Sequence, residues 1–469
     1  MKNTTTLIKN GSVFTAFDSF SGDILVSNGK ISHIAEKIPA QNGWEIFDAK
    51  GLEIFPGGID AHTHFELPFM GTVSADDFES GTVAAACGGT TTIIDFVIPA
   101  KGQRILKAVD AWHKKAEKKA VVDYGFHIAL VDADEQVIAD IPKVIQDGIT
   151  SFKCFLAYKG ALMVDDAQFL TVLYAARKHG ALVSVHAENG DMLAYVMKQL
   201  VDSGKTGPQY HPVAHPAIAE GEATHRAIVL AGVAGAPLFI VHMSCNEALE
   251  EVKAAKARGQ FILAETCPQY LLLSEELYKK PGFEGAKWVM SPPLRHAGNQ
   301  EKLWDGLRNG FIQTVATDHC SFRFKGQKDM GKDSFLKIPN GIPAVGDRVN
   351  LLYTYGVKHG RLTRNQFAAA ISGNPARIFG LYPQKGTIAV GSDADLVIID
   401  PAAKGKVSAK TTHHNVDYSA FEGFKLEGAP VLVMSRGEII SKDGKYVGAK
   451  GRGKYLKRKK FNTREWGMS

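Results

Sequence analysis

Four separated segments of the chain carry imidazole or carboxylate: His62-Thr63-His64, Val185-His186-Ala187-Glu188, Val241-His242-Met243-Ser244 and Ala316-Thr317-Asp318-His319. Each closes an apolar or β-branched run. Strand alternation puts His62 and His64 on one face, two residues apart, where both can reach one metal ion. A lone histidine at a strand end is more often a hydrogen-bonded core residue than a ligand, and H-x-H by itself is a weak signal. The set carries the reading: His62, His64, His186, His242 and Asp318 stand at matching ends of four strands, as metal ligands would. Lys153 is the oddity, lying inside the apolar run Thr150-Ser151-Phe152-Lys153-Cys154-Phe155-Leu156. An unpaired ammonium is costly to bury, so this lysine either snorkels to the rim or is neutral. A neutral amine can take up carbon dioxide and become a carbamate, whose two oxygens can bridge two metal ions. A hydroxide held between two cations is a strong nucleophile at neutral pH. His319, next to Asp318, points to the opposite strand face and is expected to be structural, as are His113, His179, His359 and His413 on helix faces or loops.

Such a constellation needs strands that end together. Eight runs qualify: Ile54 to His64, Thr90 to Val97, Val121 to Leu130, Thr150 to Ala157, Leu182 to Glu188, Leu238 to Ser244, Ile262 to Tyr270, and Thr314 to Cys320. Helical periods lie between several of them, as in Asp166 to Ala176; Asn246 is expected to cap another helix, and Gly148, Gly180, Gly259 and Gly310 to stop helices. Eight βα units over 267 residues fit a (β/α)8 barrel, which takes about 250 residues and carries its active site at the strands' C-terminal ends. A doubly wound open sheet is the alternative, but no glycine-rich phosphate turn follows the first strand.

Both chain ends read as short antiparallel strands, with Asn10-Gly11, Asn28-Gly29, Arg436-Gly437 and Asp443-Gly444 as turns. Neither end has the apolar surface for a core of its own, so together they are expected to form one small β-sandwich. The expected organisation is residues 1–55 and 385–445 as the two parts of the sandwich, 56–384 as the barrel, and 446–469 as a basic tail.

Composition bounds the partners. Hydrophobic residues make up 45% and charged residues 22% of the 469, which is ordinary globular composition. No apolar run reaches the roughly 18 residues that span a bilayer, and Met1 to Thr6 has no apolar signal region. Five scattered cysteines suit reduced thiols in the cytoplasm. The net charge is +6, yet Lys450 to Lys460 alone holds seven basic residues and no acid, which leaves the body at −1. That body offers no broad field for nucleic acid, and the tail, with its glycine-rich flexible-looking start, is expected to be solvated or to contact another subunit.

Gly57-Gly58-Ile59-Asp60-Ala61-His62-Thr63-His64 resembles the signature of the amidohydrolase superfamily. Further segments are similar to its cyclic-amidase branch: Phe78-Glu79-Ser80-Gly81-Thr82, Gly88-Gly89-Thr90-Thr91-Thr92, Phe152-Lys153, Met290-Ser291-Pro292-Pro293-Leu294-Arg295, Thr317-Asp318-His319-Cys320 and Lys337-Ile338-Pro339-Asn340-Gly341. Within that branch the chain most resembles the D-hydantoinase and dihydropyrimidinase family, over essentially its whole length, including Asn374-Pro375-Ala376 and Gly391 to Leu396.

The resemblance implies two zinc ions per subunit, bridged by N6-carboxylysine at Lys153 and a hydroxide. His62, His64, Lys153 and Asp318 would hold one ion, and Lys153, His186 and His242 the other. It implies that Asp318 moves the proton to the leaving nitrogen and that Tyr158 donates to the oxyanion. Ser291 and Asn340, with help from the Cys320 backbone, would grip the ring amides of a small cyclic ureide or imide. It also implies a homotetramer. Dihydroorotases tend to carry arginine two residues past H-x-H, where this chain has Glu66. The apolar Phe69-Met70 loop suits a hydrophobic substituent better than the ureido arm of allantoin. A non-catalytic dihydropyrimidinase-related scaffold protein would have lost ligand positions, and all six are intact here. Arg323 is less typical of close relatives, and is expected on the surface rather than at the site mouth.

Overall fold

The computed structural model describes residues 5–463. Residues 1–4, and the end of the tail from Arg464, lie outside the described residues. Eight parallel strands form the centre: β1 (Gly58–Thr63), β2 (Thr90–Val97), β3 (Asp123–Ala129), β4 (Ser151–Phe155), β5 (Leu182–His186), β6 (Leu238–Ile240), β7 (Ile262–Thr266) and β8 (Thr314–Val315). Each pairs with the next in chain order, and a parallel bridge between Thr63 and His319 joins first to last. His64 N–H donates to the His319 carbonyl at 2.8 Å across that seam. Every residue of these strands is buried, because helices cover the outside and side chains fill the inside.

The helices follow their local signals. Asp166–His179 opens on a capping box between Asp165 and Gln168, and closes on Gly180 in the left-handed conformation (φ 75°). The helix expected to start on an Asn246 cap is capped one residue earlier, at Cys245. Asn246 is its first helical residue, and its N–H donates to Asn299 Oδ1 at 2.8 Å.

Both chain ends meet in a mixed nine-stranded arrangement, the β-sandwich beside the barrel. Glu53–Pro56 joins the halves, running parallel to Thr6–Phe14 and antiparallel to Leu396–Lys406. Ile8, Ile24, Val26, Ile54, Leu396, Ile398 and Leu432 make its core. Asn28-Gly29 is a hairpin turn with both residues at positive φ (52° and 78°). Asn10-Gly11 is not a turn. The strand Thr6–Phe14 runs through it, and the extra residue is absorbed as a bulge with Asn10 at φ 58°. Gly57 then hands the chain to the barrel at a close approach, where a Cβ would lie 2.3 Å from the Thr91 hydroxyl.

The basic tail departs from expectation. It lies along the barrel's own lower end rather than in solvent. Leu456 N–H donates to the Tyr124 carbonyl at 2.7 Å, Arg458 N–H to Gly148 at 3.0 Å and Phe461 N–H to Gly180 at 3.0 Å. Leu456 and Arg458 point in and are buried, whereas Lys454, Lys457, Lys459 and Lys460 point out. The Arg458 guanidinium donates to Ser151 Oγ at 2.8 Å and to the Phe126 carbonyl.

Candidate active site

The strand ends converge as their spacing requires. His62 Nε2 and His64 Nε2 lie 3.1 and 3.0 Å from Asp318 Oδ1. Lys153 Nζ, on β4, is 3.0 Å from His62 Nε2. His186 Nδ1, at the end of β5, faces His242 Nε2 just past β6 at 2.9 Å. His62, His64 and Asp318 form a group able to hold a metal ion, and the His62 and His242 rings, 5.4 Å apart, join it to the other pair. All six side chains therefore share one buried cluster at the C-terminal end of the barrel. Three residues here adopt positive φ, at a cost in backbone strain: Tyr158 at 61°, His242 at 38° and Asp318 at 52°.

Charge in the cluster follows from burial. Lys153 is 2% exposed. Burial pushes its amine down to about 8, against the pull of Asp318 and Glu265. Nζ also sits 4.6 and 4.9 Å from the Phe96 and Phe155 ring centres, which favours the ammonium, while burial makes its proton easier to lose than that of an exposed lysine. Burial also takes His64 down to about 4. The Asp318 carboxyl is opposed by burial, but His62, His64 and His242 hold it well below the usual carboxylate range. Tyr158 is pushed up, mainly by burial, and keeps its proton. The donors suit divalent cations: imidazole nitrogens, a carboxylate and an amine able to become a carbamate. His64 Nδ1 and His242 Nδ1 are buried without a partner among the described residues, so these two rings are held in place by packing and by the cluster itself.

Tyr158, Ser291, Cys320 and Asn340 line the small cavity over this cluster, together with His64, Lys153, His186, His242 and Asp318. Asn340 Nδ2 donates to Ser291 Oγ at 3.0 Å. Outward from Tyr158 and Asn340 opens a chamber of about 440 Å³, walled largely by Pro68, Phe69, Met70, Leu162, Leu193 and Met197.

The family profile described as "Amidohydrolase family" matches residues 54–440. The chain belongs to the amidohydrolase family. Within it, this amidohydrolase is 51% identical to a D-hydantoinase of Geobacillus stearothermophilus over 460 residues, covering 98% of each chain. A crystal structure of D-hydantoinase superposes with a TM-score of 0.96 at 51% identity, covering 98% of this chain and 100% of that one. A dihydropyrimidinase from Brevibacillus agri gives 0.96 at 47% identity, covering 98% and 99%. The protein is thus a cyclic-amide hydrolase of the hydantoinase and dihydropyrimidinase group.

Several residues of this amidohydrolase site escaped the sequence reading. Glu265, on β7, accepts from His62 Nδ1 at 2.7 Å. Glu188 accepts from His186 Nε2 at 2.7 Å and from His215 Nδ1 at 2.9 Å. These carboxylates fix which ring nitrogen faces the cluster. The strand-end criterion, applied to the seventh run, would have reached Glu265. His319 lies off the site as expected, between Asp76 Oδ2 at 3.1 Å and the Ala344 N–H at 3.1 Å. Arg323 is exposed, and its guanidinium is bound to Asn415 Oδ1 at 2.7 Å, not turned to the site. Glu66 also turns away, to Lys119 Nζ at 3.0 Å.

Proposed function

We propose that this enzyme opens dihydropyrimidines and 5-substituted hydantoins to N-carbamoyl amino acids. One observation carries the substrate assignment: the six-donor cluster opens into a chamber whose wall is mostly apolar, while Glu66 and Arg323 are engaged elsewhere. An uncharged ring with a hydrophobic substituent fits such a wall.

His62, His64, carboxylated Lys153 and Asp318 would hold one zinc ion, and Lys153, His186 and His242 a second. Bound there, the ions would supply Lewis acidity for the ring carbonyl and acidify a water enough for it to attack at neutral pH. Among the described residues no carboxylate lies in hydrogen-bond range of Lys153 Nζ, so carbamate formation replaces a poorly solvated amine by an anion suited to two cations. Asp318, anionic through its histidine neighbours, accepts the proton of the attacking water and delivers it to the departing ring nitrogen. Tyr158 keeps its proton and donates a hydrogen bond to the carbonyl oxygen as negative charge develops there. Ser291, Asn340 and the Cys320 backbone hold the ring amides, so the scissile carbonyl stays beneath Tyr158. The ring C–N bond breaks, the carbonyl becomes a carboxylate and the nitrogen becomes the end of a carbamoyl group.

A cytoplasmic homotetramer, which the family resemblance implies, is part of the same proposal. Side-by-side turnover of dihydrouracil, an aryl hydantoin, dihydroorotate and allantoin tests it. The first two should react readily, and a preference for either of the last two would overturn the assignment.

A further inference from the structure

Lys328 is fully buried, on a short helical turn ten residues after Asp318. Among the described residues no carboxylate pairs with it. Its Nζ donates instead to two backbone carbonyls, Val289 at 2.9 Å and Pro339 at 3.0 Å. These carbonyls belong to different loops. Val289 lies two residues before Ser291, and Pro339 immediately precedes Asn340. The Val289 carbonyl also accepts from the Gly341 N–H at 3.0 Å, so the two loops are tied at a single junction. The junction has no slack on its other side, because a Cβ on Gly341 would lie 2.2 Å from the Cys320 carbonyl oxygen.

We infer that Lys328 is a positioning residue that staples the loops after β7 and β8, setting Ser291 and Asn340 in register for the substrate ring. This rests on the proposed roles of those two residues. An ammonium has three donors and meets two carbonyls here, whereas a neutral amine has two and is satisfied in full. Burial pushes the Lys328 amine down to about 7, so the staple works in either protonation state. Its function is donor geometry rather than charge. A hydrophobic residue in its place leaves the Pro339 carbonyl without its donor and the Val289 carbonyl with the Gly341 N–H alone.

Lys328→Met and Lys328→Gln, studied as full-length metal-loaded enzyme, test the inference. Amide hydrogen exchange reads the loops directly, and steady-state kinetics with an aryl hydantoin reads their effect. For Lys328→Met we expect faster exchange in segments 286–294 and 336–342, a KM raised about tenfold (roughly 1.4 kcal/mol), kcat within about threefold, and unchanged metal content. Lys328→Gln keeps two N–H donors on a shorter arm and should fall between Lys328→Met and the parent. Should Lys328→Met not fold, the glutamine variant still decides the matter by exchange in the same segments. Parent-like exchange in both loops would overturn the staple. Faster exchange with an unchanged KM would overturn the substrate role of the two loops, and with it the positioning role of Lys328.

Discussion

Adding a carboxylate to the substrate should be the most damaging single change to recognition. Dihydroorotate differs from dihydrouracil by one carboxylate on the ring, which under the proposed binding mode would enter the chamber outside Tyr158. Of the charged side chains that could meet it, Lys159 lines the chamber but pairs with Asp191. Arg323 is tied to Asn415, and position 66 offers a carboxylate bound to Lys119. The incoming anion would lose water against Phe69, Leu162, Leu193 and Met197, and an unpaired anion in apolar surroundings costs several kcal/mol. Even a cost of about 2.7 kcal/mol corresponds to a hundredfold in kcat/KM. A phenyl substituent on a hantoin-type five-membered ring moves the other way, since about 100 Å² of buried hydrocarbon at about 25 cal/mol per Å² contributes about 2.5 kcal/mol. The assay is kcat/KM for dihydrouracil, dihydroorotate, unsubstituted hydantoin and 5-phenylhydantoin on one enzyme preparation. We expect dihydroorotate to be at least about a hundredfold poorer than dihydrouracil, and the phenyl compound to exceed its parent. Comparable constants for dihydroorotate and dihydrouracil would refute the reasoning. A loss of dihydroorotate turnover in Arg323→Ala would then identify the cation that had been misjudged.

Asp318→Asn keeps one oxygen for a cation but cannot carry a proton, so kcat should fall by about 10²–10⁴; near-normal kcat with metal retained would exclude the shuttle. Tyr158→Phe removes one oxyanion donor and should cost about 10²–10³ in kcat, with metal content unchanged as the control. Leu456→Ala empties a buried position under the barrel and should lower stability by about 2–3 kcal/mol, read by denaturant unfolding, and parent-like stability would mean that the tail's docking contributes little. Truncation after Gly448 should lower Tm while leaving the metal content at its full value, because none of the six donors lies in the removed segment.

The strand ends of the barrel were legible because chemistry and periodicity coincide there. His62 and His64 alternate on one strand, His186 closes β5 and Lys153 interrupts an apolar run, so each local signal pointed to the same rim. The carboxylates behind them were not legible in the same way. Glu265 stands 203 residues from His62, and only the closed barrel brings them together. Glu188 was visible as the end of a run, but its bond to His215 depends on how the following helices pack. The tail misled for a different reason. Its inward residues are Leu456 and Arg458, and a buried arginine bonded to Ser151 Oγ and a backbone carbonyl leaves no apolar pattern to read. Asn10-Gly11 has turn chemistry, but strand pairing on both sides of it made a bulge instead.

The most direct measurement is the metal content of purified parent enzyme and of Lys153→Ala, determined by elemental analysis beside kcat on an aryl hydantoin. On the proposal that Lys153 is the shared ligand of two ions, we expect about two zinc ions per chain in the parent, most of them lost in Lys153→Ala, and activity lost with them. A Lys153→Ala protein that holds its full complement of metal and turns over normally would contradict the account.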